Sequence, residues 1–220
     1  MVFPAYNEES NIERLLLGFI QVLEGISYEL IVVDDGSSDN TASIVQRLQT
    51  SYSCINLLQH GSNKGYGAAL RSGFRASRGE WTFFTDADLQ FLPQDFHTLW
   101  SNRAKSDIIC GYRFPRKDPL FRKYNANLWR LYVGILFGVW LKDTNCACKL
   151  FPTNALQSVE LLTEGACINA EIMVKLQRKK LRYMEVPVQH VPRQYGVQTG
   201  ANPKVVYKAL RESIRLYRSL

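Results

Sequence analysis

Residues 28–49, YELIVVDDGSSDNTASIVQRLQ, change character at their midpoint. Leu30–Val33 is an unbroken apolar run, which reads as a strand buried on both faces. It ends on Asp34 and Asp35, turns through Gly36, and meets a Ser/Asp/Asn/Thr cluster that suits the start of a helix. Strand, polar turn and helix make one unit, and the unit recurs. CINLLQH (54–60) reads as a strand, and NKGYGAALRSGFRAS (63–77) turns through glycines into a helix that stops at Gly79. EWTFFTDAD (80–88) is a strand, Pro93–Ala104 a helix and DIICG (107–111) a strand. Upstream, Met1–Pro4 reads as the end of a strand. Ser10 and Glu13 then form a capping box before Ile12, Leu15, Leu16, Phe19, Val22 and Leu23 at helical spacing. This alternation predicts an α/β fold, a mostly parallel sheet flanked by helices.

The rhythm is lost after residue 112. Asp118–Lys142 is basic, aromatic and helical in pattern, Cys167–Lys180 reads as a helix, and LRYMEVPV (181–188) as a strand. His190–Pro203 is a loop, and Lys204–Leu220 an amphipathic helix with Val206, Leu210, Ile214 and Tyr217 on one face. No linker, repeat or low-complexity segment divides the chain. The expectation is one domain over 1–220, with a ligand-binding half (1–112) and a second half (113–220).

Composition narrows the class. An apolar fraction of 46% with 12% aromatics supports a real core in 220 residues and excludes disorder. A formal charge of +7 suits an anionic partner: nucleotide phosphates, an acidic membrane surface or nucleic acid. Aromatic RNA-binding signatures and recognition-helix patterns are missing, so nucleic acid is not expected. Five scattered cysteines read as reduced core thiols, which points to the cytoplasm. There is no signal-peptide pattern at the start of the chain. The strongest apolar run, Leu131–Leu141, is too short to span a bilayer, which takes about 20 residues. It fits either a buried helix or one lying on a membrane surface.

Three polar clusters fall at expected strand ends: PAYNE (4–8), DDGSSD (34–39) and DADLQ (86–90). In an open parallel sheet these ends line the ligand crevice. If strand geometry continued through Asp86 and Asp88, both carboxylates would project the same way and demand a cation between them. Mg²⁺ or Mn²⁺ suits such hard oxygen ligands, with Gln90 adding a carbonyl oxygen or a bond to a metal water. Asp34 and Asp35 can accept hydrogen bonds from a base or ribose, while Ser37, Ser38 or Asp39 can cap the following helix. His60, His97 and His190 read as loop or surface residues, so no general base stands out.

PAYNEE, VVDDGSSDNT, NKGYGAALRSGF, TDADLQ, GYR and EVPVQHVPRQYG together resemble the family 2 glycosyltransferases of the GT-A fold, and among them the dolichol- and polyprenyl-phosphate sugar synthases. The resemblance runs through nearly the whole chain in order. It implies nucleotide contacts at Pro4, Tyr6, Glu8, Val33 and Asp35, and a metal-and-diphosphate motif at Asp86, Ala87, Asp88 and Gln90. It implies an arginine near the donor and acceptor phosphates at Arg113 and one closing over the diphosphate at Arg193. Arg130 and Glu171 fall at positions toward the acceptor side. The chain departs from the family at DTNCACKLF (143–151) and GVQTGANPK (196–204), both on that side.

The implied activity is metal-dependent, inverting transfer of a hexose from a GDP-mannose- or UDP-glucose-type donor to a polyprenyl or dolichyl phosphate. The enzyme would be peripheral on the cytoplasmic face of a membrane. Basic residues in 113–130 would meet headgroups and Leu131–Leu141 the lipid tails. A glycan acceptor is the alternative within the class, and a non-catalytic nucleotide-binding module the alternative outside it. A phosphatase with a DxD nucleophile fits less well, because that chemistry places its acid pair on the first strand.

Overall fold

The computed structural model describes residues 1–195 and 203–220, so most of the 196–204 departure lies outside the described residues. The elements run β1 (Val2–Ala5), α1 (Ile12–Val22), β2 (Leu30–Asp34), α2 (Thr41–Ser51), β3 (Ile55–Gln59), α3 (Tyr66–Ala76), β4 (Trp81–Phe84) and α4 (Asp95–Ser101). They continue with β5 (Ile108–Arg113), α5 (Leu120–Phe137), β6 (Lys149–Pro152), α6 (Thr153–Gln157), α7 (Ile168–Arg178), β7 (Tyr183–Val188) and α8 (Pro203–Ser219).

One seven-stranded sheet has the order β3-β2-β1-β4-β6-β5-β7. The expected α/β architecture is present, mostly parallel, with β6 running antiparallel to both its neighbours. From β1 the chain builds outward to β2 and β3 on one side, then returns to place β4 on the other. That reversal opens a crevice beyond the carboxyl ends of β1 and β4. The register sets Ala5 beside Asp34, so the polar turns after β1 and β2 leave the sheet at one level.

Both faces of the sheet carry aromatic layers. Phe3, Phe19, Phe83 and Phe96 form a chain with centroid spacings of 5.0, 5.9 and 5.4 Å that ties β1 and β4 to α1 and α4. On the other face, Phe84 meets Phe74 of α3 at 5.6 Å and stacks on Phe151 of β6 at 6.1 Å. Helix α3 reaches β1 this closely because Gly73 has no side chain. A Cβ there would lie 2.3 Å from Val2 Cγ1.

Several boundaries differ from the sequence reading. Ser10 and Glu13 make no capping box: α1 has Asn11 as its N-cap residue, with no side-chain cap. The Glu8 carbonyl accepts from Asn11 N and Ile12 N, and Glu13 instead pairs with Arg47 of α2 at 2.8 Å. Helix α3 ends at Ala76 rather than Gly79, because Ser77 takes an extended conformation. The helix expected over 93–104 is confined to Asp95–Ser101. The apolar run 131–141 is not one helix, since Gly138 adopts φ 73° and ends α5. Strand β4 stops at Phe84, so Asp86 and Asp88 lie in a turn rather than on a strand. Asp88 Oδ1 accepts from Gln90 N at 3.1 Å and Leu89 takes φ 57°, a local side-chain turn that competes with strand continuation. Strand β6 and helix α6 lack a periodic pattern long enough to be read from sequence.

All five cysteines are free, four of them buried.

Candidate active site

The turn after β1 carries Tyr6, Asn7 and Glu8, and it is stapled to the turn after β2. Ser38 N donates to Asn7 Oδ1 at 2.8 Å, Asn7 N to Ser37 Oγ at 2.9 Å, and Glu8 N to Thr41 Oγ1 at 2.8 Å. Asp39, foreseen as a capping residue, accepts from Thr41 N at 3.0 Å. Tyr6 is left 47% exposed, a free ring face at the crevice rim. Pro4, Val33 and Ala87 are buried in or beside the sheet and shape the floor.

Glu8 and Asp88 face each other across the crevice through Arg193. The guanidinium donates from Nη2 to Glu8 Oε1 at 2.6 Å and from Nη1 to Asp88 Oδ2 at 3.4 Å. Its Nε donates to the Tyr195 carbonyl at 2.6 Å. Three segments remote in sequence thus meet at one cation. Asn11 Nδ2 holds the other Glu8 oxygen at 2.7 Å.

One arginine does not balance the acids. Asp86 is half-buried, and its Oδ1, itself shielded from solvent, has no hydrogen-bond partner. Burial first, and the neighbouring Asp88 charge second, push its pKa up to about 7. Burial likewise raises Asp88, against the Gln90 amide and Arg193, and raises Glu8, against Asn11 and Arg193. The buried Tyr66 hydroxyl of α3 also lacks a partner, and its pKa is raised well above the usual value by burial and by the Asp86 charge. An uncompensated carboxylate oxygen beside a second carboxylate is what a hard divalent cation fits. Among the described residues no group of three or more His, Cys, Asp or Glu forms a ready-made metal cage. A two-carboxylate site completed by water and phosphate oxygens is how Mg²⁺ is commonly bound.

Gln90 has other business. Its side-chain amide lies 3.4 Å from His190 Nε2, and its carbonyl accepts from Val191 N at 3.0 Å. His190 Nδ1 accepts from Lys117 N at 3.2 Å, so the neutral ring carries its proton on Nε2. His190 is buried at 3% exposure, which corrects its reading as a surface residue and lowers its pKa. It pins the 114–118 loop and the Arg193 segment to the Asp86–Gln90 turn.

Arg113 ends β5 and is held by Asp143 in a two-point contact, Nε–Oδ2 2.6 Å and Nη2–Oδ1 2.9 Å, with Asp118 Oδ2 at 3.3 Å from Nη1. Burial opposes its charge, but the Asp143 bond and charge win and its pKa rises further. Arg116 joins the group through Asp118 at 2.7 Å. Two arginines and two aspartates form a rigid charged wall. Asp118 and Arg116 gave no motif signal in the sequence, and Asp143 entered only as the first residue of the 143–151 departure.

Among the described residues no hydrogen bond or ion pair ties Arg130 or Glu171 to Glu8, Asp86, Asp88 or Arg193. Arg130 is exposed on α5. Glu171 is fully buried and accepts from Leu162 N, Thr163 N, Thr163 Oγ1 and Lys175 Nζ at 2.7–2.8 Å. Its acceptor capacity is spent on the 162–163 loop, so its place is structural. That loop in turn supports the glycine turn: the Glu164 carbonyl accepts from Gly67 N at 2.7 Å.

Asp35 also sits deeper than expected. His60 Nδ1 reaches its Oδ1 at 2.6 Å, Lys64 N donates to Oδ1 at 2.9 Å and Gly65 N to Oδ2 at 2.8 Å. The His60 ring is itself shielded, and its Nε2 meets Ser72 Oγ at 2.9 Å.

Comparison with known proteins places the chain in a family and a fold. Residues 1–162 match the profile described as Glycosyl transferase family 2. A dolichyl-phosphate beta-glucosyltransferase of Trichomonas vaginalis is 30% identical over 86% of this chain and 64% of its own length. The dolichol-phosphate mannosyltransferase of Pyrococcus furiosus is 28% identical over 99% of this chain and 62% of its own length. The chain thus spans less than two thirds of these relatives. In fold it is similar to glucosyl-3-phosphoglycerate synthase of Mycobacterium tuberculosis crystallised with Mn²⁺ and UDP-glucose. There the TM-score is 0.73 at 19% identity, covering 96% of this chain and 77% of that one.

Proposed function

Because the chain belongs to glycosyl transferase family 2, we propose that it transfers a hexose from a nucleoside-diphosphate sugar to a polyprenyl phosphate at a membrane surface. The observation that carries this reading is the meeting of Glu8, Asp86, Asp88 and Arg193 at the switch point, with an Asp86 oxygen left without a partner. The nucleoside lies over the β1 and β2 turns against Tyr6, and its diphosphate beside the Asp86–Asp88 turn. A bound Mg²⁺ or Mn²⁺, held by Asp86 and Asp88, would neutralise charge developing on the leaving diphosphate.

The chain's own groups do the rest. Arg193 bridges two carboxylates in the crevice and can transfer its donors to a diphosphate, since charge-assisted bonds to phosphate are of comparable strength. Arg113 and Arg116, fixed by Asp143 and Asp118, would turn their remaining N–H donors to an acceptor phosphate. A phosphate monoester is already an anionic nucleophile. Its oxygen attacks the anomeric carbon while the bond to the diphosphate breaks with its electron pair, inverting that carbon. No general base is needed, which fits His60 and His190 both being committed to internal bonds.

The lipid surface is suggested by two helices. α5 exposes Leu120, Phe121, Tyr124, Leu128, Leu131 and Ile135, the last at 72%. α8 exposes Val206, Tyr207, Leu210, Ile214 and Tyr217, and buries Ala209, Glu212, Ser213 and Leu216 instead. The apolar face of α8 read from its sequence is therefore the outward one. The two helices touch through Tyr132 Oη and Ser213 Oγ at 2.9 Å and through the Phe137 and Tyr217 rings at 6.3 Å. Apolar stripes next to Arg130, Arg211, Arg215 and Arg218 suit an anionic bilayer. Among the described residues no helix is long and apolar enough to cross a membrane.

The test is a thermal-shift series with UDP-glucose and GDP-mannose, each with and without Mn²⁺. A donor at 100 times its Kd should stabilise by about 2.7 kcal/mol, and only with metal. Asp88→Asn should abolish that shift and hexosyl transfer to a polyprenyl phosphate. A donor shift independent of both metal and Asp88 would overturn the site assignment.

A further inference from the structure

Ser72, His60 and Asp35 stand in a line: Oγ to Nε2 at 2.9 Å, Nδ1 to Oδ1 at 2.6 Å. The order is that of a hydrolytic triad, yet nothing equips Ser72 as a nucleophile. It lies inside α3, where backbone amides are spent on helix bonds and cannot form an oxyanion hole. The line points inward to Asp35. We propose that Ser72 and His60 are positioning residues that fix the Asp35 carboxylate and leave it one open acceptor position, matched to the single imide N–H of a uracil-type base. This deepens the donor-binding reading above and rests on it.

The argument is a count of lone pairs. A carboxylate offers about four acceptor positions, two on each oxygen. Oδ1 has two donors, His60 Nδ1 and Lys64 N, and Oδ2 has one, Gly65 N. One position remains, on Oδ2. A carboxylate only accepts, so Nδ1 carries the imidazole proton; in the neutral ring Nε2 then accepts from the Ser72 hydroxyl. His60 and Asp35 side chains are 9% and 4% exposed, so neither reorients freely toward solvent. Gly36 and Gly65 keep the turn tight. A Cβ on Gly36 would lie 2.6 Å from the Ser62 carbonyl carbon, and one on Gly65 2.7 Å from the Glu164 oxygen.

The two common donor bases differ in what they ask of this position. Uracil presents one N–H flanked by two carbonyl acceptors. Guanine presents adjacent N1–H and N2–H donors and needs two acceptors side by side. A carboxylate with both oxygens open serves guanine; one with a single open position serves uracil. Without the His60 bond, Oδ1 regains an acceptor position and Asp35 regains rotational freedom, so the preference should shrink. A site that hydrogen-bonds a base edge discriminates strongly against an edge that leaves polar groups unpaired.

The test is calorimetric titration of the full chain with UDP and with GDP, in Mn²⁺, for wild type, His60→Phe, His60→Asn and Ser72→Ala, with melting curves to verify folding. Wild type should bind UDP at least about tenfold more tightly than GDP, the loss expected for one unpaired buried group. His60→Phe should cut UDP affinity about tenfold and narrow the preference. His60→Asn, whose Nδ2 can replace the Nδ1–H donor, should restore most of it at any melting temperature, which a packing role alone would not do. Ser72→Ala should fall between wild type and His60→Phe. GDP binding as tightly as UDP, or equal UDP affinity in wild type and His60→Phe, would overturn this assignment and leave the donor reading standing. Failure of the folded wild type to bind either nucleotide would overturn both.

Discussion

Asp86 is a residue whose burial costs stability and whose place in the proposed function would be to hold a cation. Its pKa is near 7 in the folded state against an ordinary 3.8, with burial the main cause. The native state therefore holds a proton that the unfolded chain releases, and stability is lost as pH rises from about 4 through 7. Asp86→Asn should make the metal-free protein melt higher than wild type at pH 8, with the difference closing by pH 5. A difference between the two melting curves that is constant across that range would show that Asp86 does not carry this cost. Added Mn²⁺ with donor should reverse the order at pH 8, because only wild type gains the ligand. That Asp86 and Asp88 form a close acid pair was readable from the residues; the reason they are near one another was not. Strand alternation was the expected cause, whereas the structure uses a turn closed by the Gln90 amide. Nothing local announced the bonds of His60, His190 or Asp143, because their partners lie 25, 73 and 30 residues away in sequence.

Among the elements, α3 shows packing overriding propensity. In an exposed helix interior Gly→Ala gains about 1 kcal/mol. At Gly73 the new methyl would meet Val2 Cγ1 at 2.3 Å and Val33 Cγ2 at 3.2 Å, both on stiff β-branched residues buried in the central strands. Overpacking of this kind costs about 1–3 kcal/mol, so the clash should win. Urea unfolding of Gly73→Ala should show a lowered midpoint with an unchanged slope; a raised midpoint would mean that α3 can retreat from β1. The first five strands and four helices were legible because apolar runs alternate with polar turns and helical periods through residue 112. β6 was not, since four residues after a cysteine-containing loop carry no period. Its place between β4 and β5 is decided by pairing partners at Trp81–Phe84 and at Ile109 and Cys110.

For the whole molecule, the second half completes the sheet of the first and turns apolar helix faces outward. Ile135 is the most telling residue of that surface: mid-run in an apolar stretch, yet 72% exposed. Binding to vesicles with anionic lipid should be strong at low salt and weaken at high salt, as screening requires. Ile135→Glu should reduce flotation with such vesicles by about tenfold, at the cost of burying a charge in the interface, while leaving the melting temperature within a degree or two. Unchanged flotation would mean that the α5 and α8 stripes face something other than lipid.

The sequence by itself determined the alternation of strands and helices, the polar strand ends and the acid pair, because these follow from local period and residue chemistry. The tertiary structure decided which groups share a charge or a proton. It brought Arg193 to Glu8 and Asp88, turned Gln90 to His190, closed Asp35 with His60, and put one apolar face of α8 outside. The physical reason is that hydrogen bonds and ion pairs are fixed by distance in space. A chain of amphipathic elements specifies its faces, but only packing against the other elements selects which face is buried.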